Sequence, residues 1–141
     1  MKTTAMVGEL TKREKQMLLE VRQSRRYPIA RFELHSSRSE ELVSTALDYV
    51  RIVEEDDSME LVKERGEALR SLEEKGLLRA DYDINVWVCG DHTIYYRSAL
   101  YAFLCRTAME AQSLPGCVFD VPAIRKGYVR LTARGRKAVC I

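Results

Sequence analysis

Two histidines, His35 and His92, and four cysteines, Cys89, Cys105, Cys117 and Cys140, are the chain's imidazole and thiol groups. Cys89-x-x-His92, with Cys105 and Cys117 downstream, could in principle supply four zinc ligands. A second closely spaced pair is lacking, and Cys105 falls in an apolar helical pattern. The cysteines are therefore expected as buried thiols, with no metal bound. Asp81-x-Asp83 with Asp91 could meet a cation, but reads as solvated acids on a strand or turn. Phosphate-loop, dinucleotide-binding, zincin and nucleophile-elbow motifs are all absent. No nucleophile, base and oxyanion donor assemble, so neither catalytic residues nor a cofactor are expected.

The remaining chemistry is cationic. The 141 residues carry a net charge of +2, but the charge is segregated. Residues 1–38 carry a net +5, residues 39–76 a net −7, residues 77–120 a net −2 and residues 121–141 a net +6. Arg22, Arg25, Arg26 and Arg31 surround the end of the first expected helix. Arg125, Lys126, Arg130, Arg134, Arg136 and Lys137 crowd the far end. Such ends either attract phosphates or dock on the acidic middle of the chain. Tyr82, Trp87, Tyr95, Tyr96, Tyr101 and Phe103 form an aromatic-rich stretch. Rings of this kind stack unpaired bases in some proteins, though core packing or a subunit interface is their commoner use.

These residues need elements to position them. The length suits one domain with one core, and the 46% hydrophobic fraction excludes a wholly disordered chain. No apolar run of about 18 residues is present, and residues 1–8 contain no secretory h-region. A reduced, cytoplasmic protein is expected.

Thr11-Lys-Arg-Glu14 is a capping box and should start a helix that ends at Tyr27-Pro28. Ser37-Arg-Ser-Glu40 resembles a second box. After it Leu42, Val43, Ala46, Leu47, Val50 and Val53 recur at three- and four-residue spacing, which predicts a second helix. Asp57-Ser-Met-Glu60 opens a third, with Leu61, Val62, Ala68, Leu69 and Leu72 as its stripe and Gly76 past its end. Gly66 inside it marks close packing or a kink. From 77 to 89 the pattern turns to strand. Gly90-Asp91 then makes a hairpin turn or caps a helix directly. Residues 99–112 read as helix, 117–121 and 128–131 as short strands, and 133–139 as a last helical turn.

Two strings carry a resemblance. LRSLEEKGLLRAD at 69–81 resembles the end of the recognition helix and first wing strand of winged-helix regulators of the MarR and PadR kind. KGYVRLTARGRKAV at 126–139 resembles their second wing strand and the start of the following helix, with Thr132 as its cap. The resemblance implies an α+β, mostly α, winged helix-turn-helix domain with a C-terminal β-hairpin wing. It would span 1–141 as one domain, with 90–116 as a helical insertion.

It also implies a DNA-binding transcriptional regulator acting as a homodimer on double-stranded DNA. Arg125 and Lys126 would form the wing tip, with Arg130, Arg25 and Arg26 holding phosphates. Lys63 and Arg70 are possible contacts on the third helix. That helix is otherwise acidic, through Glu54, Glu55, Asp56, Asp57 and Glu60, and would be repelled by duplex DNA. The alternative is a winged-helix adaptor that binds a protein partner and no DNA.

Overall fold

The computed structural model describes residues 10–82 and 89–139. Helix α1, Lys12–Gln23, starts at the expected box: Thr11 Oγ1 accepts from the Glu14 N–H at 3.1 Å, and Glu14 Oε1 accepts from the Thr11 N–H at 2.9 Å. It stops at Ser24, which is extended, and β1 follows as Tyr27–His35. Strand β2 is Val43–Val50, α2 is Met59–Glu74 and β3 is Leu78–Asp81. A 3-10 turn at Cys89–His92 leads into the short α3, Thr93–Arg97, then α4, Ala99–Gln112. Strand β4, Val121–Leu131, and α5, Ala133–Val139, complete the fold.

The four strands form one antiparallel sheet in the order β2-β1-β4-β3. Helices α1 and α2 cover one face. There Met17, Leu18, Val21, Leu69 and Leu72 bury against Tyr27, Ile29, Leu78 and Val129. Helices α3 and α4 cover part of the other, where Tyr95, Leu100 and Leu104 meet Ala30, Phe32 and Val50.

This architecture corrects the winged-helix expectation. The molecule is α+β with a four-stranded sheet at its centre; it is not mostly α, and its element order is not that of a winged helix. Two helices, not three, precede residue 77 among the described residues. The helix expected after Ser37 is β2. Its apolar spacing looked helical because the β1–β2 ladder is bulged: Ala30 faces Val50, yet Phe32 faces Leu47. The extra residue sets Leu47 and Val50 three apart, though both pack into the same core. Tyr49, inside the bulge, has φ +51°, a left-handed conformation costly for a bulky side chain.

The expected C-terminal hairpin is also absent among the described residues, although the strands of the two resembling strings do pair, Leu78–Asp81 with Tyr128–Leu131. Residues 117–120 form no strand, and Val121–Leu131 run unbroken through the expected turn. Pro122 is tolerated because β3 pairs only with the far end of β4, which leaves the first half of β4 open on that side.

Elsewhere the local chemistry agrees with expectation. Ser58 Oγ caps α2 by accepting from the Leu61 N–H at 3.2 Å. Asp57 beside it is buried instead, accepting from the Val53 and Glu54 N–H groups and pairing with Arg65 at 2.6 Å. Gly76 ends α2 with φ +76°. Gly66 marks close packing: a Cβ there would sit 3.1 Å from the Tyr49 carbonyl oxygen. The strand expected to alternate through Ile84, Val86 and Val88 lies outside the described residues. Among the described residues no helix is long and apolar enough to cross a membrane.

Candidate functional site

The two basic ends of the chain meet in one cleft. The last turn of α1 supplies Arg22, and Ser24 and Arg25 follow it. The end of β4 supplies Arg130 between Val129 and Leu131, and α5 supplies Arg136 and Val139. These residues, with Val21, line a cleft of about 310 Å³. Val21, Val129, Leu131 and Val139 make part of the lining apolar, four arginines give it charge, and among the described residues no carboxylate lines it.

Each wall has a sequence cause. Thr132 turns the chain from β4 into α5: its Oγ1 donates to the Gly76 carbonyl at 2.6 Å and accepts from the Gly135 N–H at 3.0 Å. Gly135 lets α5 lie against the backbone, because a Cβ there would fall 1.8 Å from the Leu77 carbonyl oxygen. Arg22 Nη1 donates to the Val139 carbonyl at 3.0 Å and ties α5 to α1. Arg136 Nη1 donates to the Leu131 carbonyl at 3.2 Å. Both acceptors are neutral, so the bonds orient the cations without cancelling their charge. None of Arg22, Arg25, Arg130 and Arg136 forms an ion pair among the described residues.

A fifth cation, outside the cleft lining, neighbours Arg130. Arg79 of β3 lies directly opposite Arg130 in the β3–β4 register, and both are exposed. Like charges facing each other across strands destabilise a sheet by roughly 0.2–1 kcal/mol. Other concave regions mix their charges. One between α1 and α2 includes Glu14, Glu64 and Glu67 with Arg13, and another sets Glu20 beside Lys12 and Arg65.

The expected contact residues are partly gathered here. Arg25 and Arg130 line the cleft. Arg26 is bidentate on Asp91, at 2.7 and 3.3 Å, and Asp91 also accepts from the Tyr128 hydroxyl at 2.7 Å. The Arg26 bond, ahead of the cost of burial, holds the Asp91 carboxyl below its usual range. Lys126 stands over the Tyr96 ring, 5.4 Å from its centroid.

Arg125 projects from the opposite face of β4, in register with Arg31, and is not at a wing tip. Arg31 is itself paired with Asp48 at 3.2 Å and stacked on Tyr82. On α2, Lys63 is exposed and Arg70 lies over the Tyr49 ring at 5.1 Å. Neither lines the cleft. Arg79 was not expected as a contact. Its signal is positional: it stands out only once the strand register sets it against Arg130.

The histidine of Cys89-x-x-His92 is fully buried. His92 Nε2 lies 3.1 Å from the Ile29 carbonyl and 3.0 Å from that of Gly127, so it donates to them. Burial lowers its pKa, with Lys126 adding to the effect. Among the described residues no group of three or more His, Cys, Asp or Glu is arranged to hold a metal.

The fold and the cleft thus define an α+β protein with an arginine-rimmed surface site. No protein-family model matches the chain, and no curated protein matches it. Among solved structures it is similar to an uncharacterized protein from the hydrocarbon-degrading marine bacterium Alcanivorax borkumensis SK2. That likeness has 17% identity and a TM-score of 0.49, covering 96% of this chain and 91% of the other.

Proposed function

We propose that this chain binds nucleic acid through its phosphates, with Arg22, Arg25, Arg130 and Arg136 as the primary contacts. The observation that carries the reading is a cleft with four arginines and, among the described residues, no carboxylate in its lining. Guanidinium groups bind phosphate oxygens through paired N–H donors. They fix register on a backbone without reading bases. Sequence preference is therefore weak, and this cleft, in place of a wing tip at Arg125 and Lys126, makes the primary contacts. The acidic α2 takes no part.

Fluorescence anisotropy with labelled random-sequence DNA at several salt concentrations tests this. The Arg22→Ala, Arg130→Ala double variant lowers affinity for every sequence. It also flattens the slope of log affinity against log salt by about 1.4–1.8. A second reading, a protein-binding module, draws on α4 and the residues after it, where Phe103, Met109 and Leu114 are more than half exposed. Under that reading the double variant binds DNA no differently from the parent.

A further inference from the structure

We propose that the nucleic acid is single-stranded, and that its path turns at Arg130 from the cleft onto the other face of the sheet, where Tyr96 stacks an unpaired base. This rests on the phosphate-binding reading and names its substrate class.

The strand register lays out the path. Lys126, Tyr128 and Arg130 alternate along β4 and share one face, the face opposite Val129 and Leu131. Arg79 joins that face opposite Arg130, and Asp81 joins it opposite Tyr128. Arg130 lines the arginine cleft, while Lys126 lies over Tyr96. Four residues of strand, about 13 Å, therefore connect Arg130, where the path leaves the cleft for this face, to Lys126 and the ring.

The charges along this path favour a phosphate chain. Arg79, Arg130 and Lys126 lie on it, and Arg22, Arg25 and Arg136 stand at one end. Asp81 shares the face, and Asp91 beside Tyr128 is already matched by Arg26 and Tyr128. From His92 to Met109 the chain carries Arg97 and Arg106 and no acid.

Tyr96 is suited to a base. It is 45% exposed, although Tyr95 beside it is fully buried. An edge-to-face contact with Tyr101, centroids 5.4 Å apart, sets its plane. Tyr101 in turn meets Phe32 of β1 edge-on. The ring is therefore held by the core while presenting itself to solvent. Lys126 can turn from the ring to a phosphate as a base takes its place. In a duplex the base faces are stacked within the helix and out of reach, so a stacking ring serves only a single strand. Phe103, although 54% exposed, lies on the other flank of α4, away from Tyr101, and takes no part.

The test compares labelled oligothymidine with a duplex of equal length by anisotropy. Three proteins are titrated: the parent, Tyr96→Leu, and Arg22→Ala with Arg130→Ala, each checked for folding by circular dichroism. The parent binds the single strand more tightly. Tyr96→Leu weakens single-strand binding roughly 5- to 100-fold and leaves duplex binding unchanged, whereas the arginine variant weakens both. A duplex bound at least as tightly, or a Tyr96→Leu variant that binds the single strand like the parent, overturns the single-strand inference alone. Failure of both nucleic acids to bind the parent overturns the phosphate-binding reading beneath it.

Discussion

Glu14 joins a cap to a buried contact. One carboxylate closes the capping box with Thr11, accepts from the Ser71 hydroxyl at 2.6 Å and pairs with Lys75 at 3.0 Å. Burial acts to raise its pKa, but Ser71, the Thr11 N–H and Lys75 outweigh it and hold the value at about 2. A carboxylate whose folded pKa is depressed contributes stability above its unfolded pKa and loses it as pH falls. Stability should therefore drop between about pH 4.5 and 2. Glu14→Gln should cost about 2 kcal/mol at neutral pH and shrink that acid loss, as urea melts across the range would show. His92 adds a loss nearer neutrality. Its folded pKa lies below the ordinary 6.5, so the unfolded chain takes up the proton first. Stability then falls as pH drops below about 6.5, by at most about 1.4 kcal/mol per pH unit. Melts at pH 7.5 and 5.5 should differ accordingly, and His92→Gln should reduce the difference.

Among the elements, the helices announced themselves through their ends. Thr11 and Glu14, Ser58, Gly76 and Thr132 each make a local bond or turn that needs no knowledge of the fold. The sheet did not, because its signals are not local. In β1, Ile29 and Ala30 are both wholly buried, on opposite faces, so the simple in-out alternation is lost. In β2 the bulge at Tyr49 gave Leu47 and Val50 a helical spacing. In β4 the proline and the adjacent cations looked like a turn, since nothing local says that β1 pairs along its whole length. Two substitutions probe the elements that frame the cleft. Gly135→Ala drives a methyl into the Leu77 carbonyl and should displace α5, at a cost of about 3 kcal/mol or more by chemical denaturation. Arg79→Thr removes the like-charge pair with Arg130. It should stabilise the fold by roughly 0.2–1 kcal/mol while weakening nucleic-acid binding; a variant both less stable and equally tight would remove Arg79 from the site.

Over the whole molecule, the charge blocks of the sequence acquire positions. The acidic segment does recruit some cations: Glu64 pairs with Arg13 at 3.3 Å, and Asp48 with Arg31 at 3.2 Å. It does not recruit those of the cleft. Arg22 and Arg25 come from the N-terminal block, Arg130 and Arg136 from the C-terminal block, and the packing of α1 on β4 and α5 brings them together. The candidate contacts were thus legible as two basic ends, while their convergence was not, because it depends on β1 pairing with β4. Four gathered cations repel one another, so the cleft is a place where ordinary salt should stabilise the fold and a polyanion should do so more. A rise in Tm with heparin, larger in the parent than in Arg22→Ala with Arg130→Ala, is the expected outcome of a thermal scan.

The most direct test of the central claim is the anisotropy salt titration of parent and double-arginine variant on one labelled oligonucleotide of about 20 nucleotides. The account predicts binding by the parent that weakens steeply with salt, and a variant that binds more weakly at low salt with a shallower slope. Parent and variant curves that superimpose at every salt concentration would contradict it.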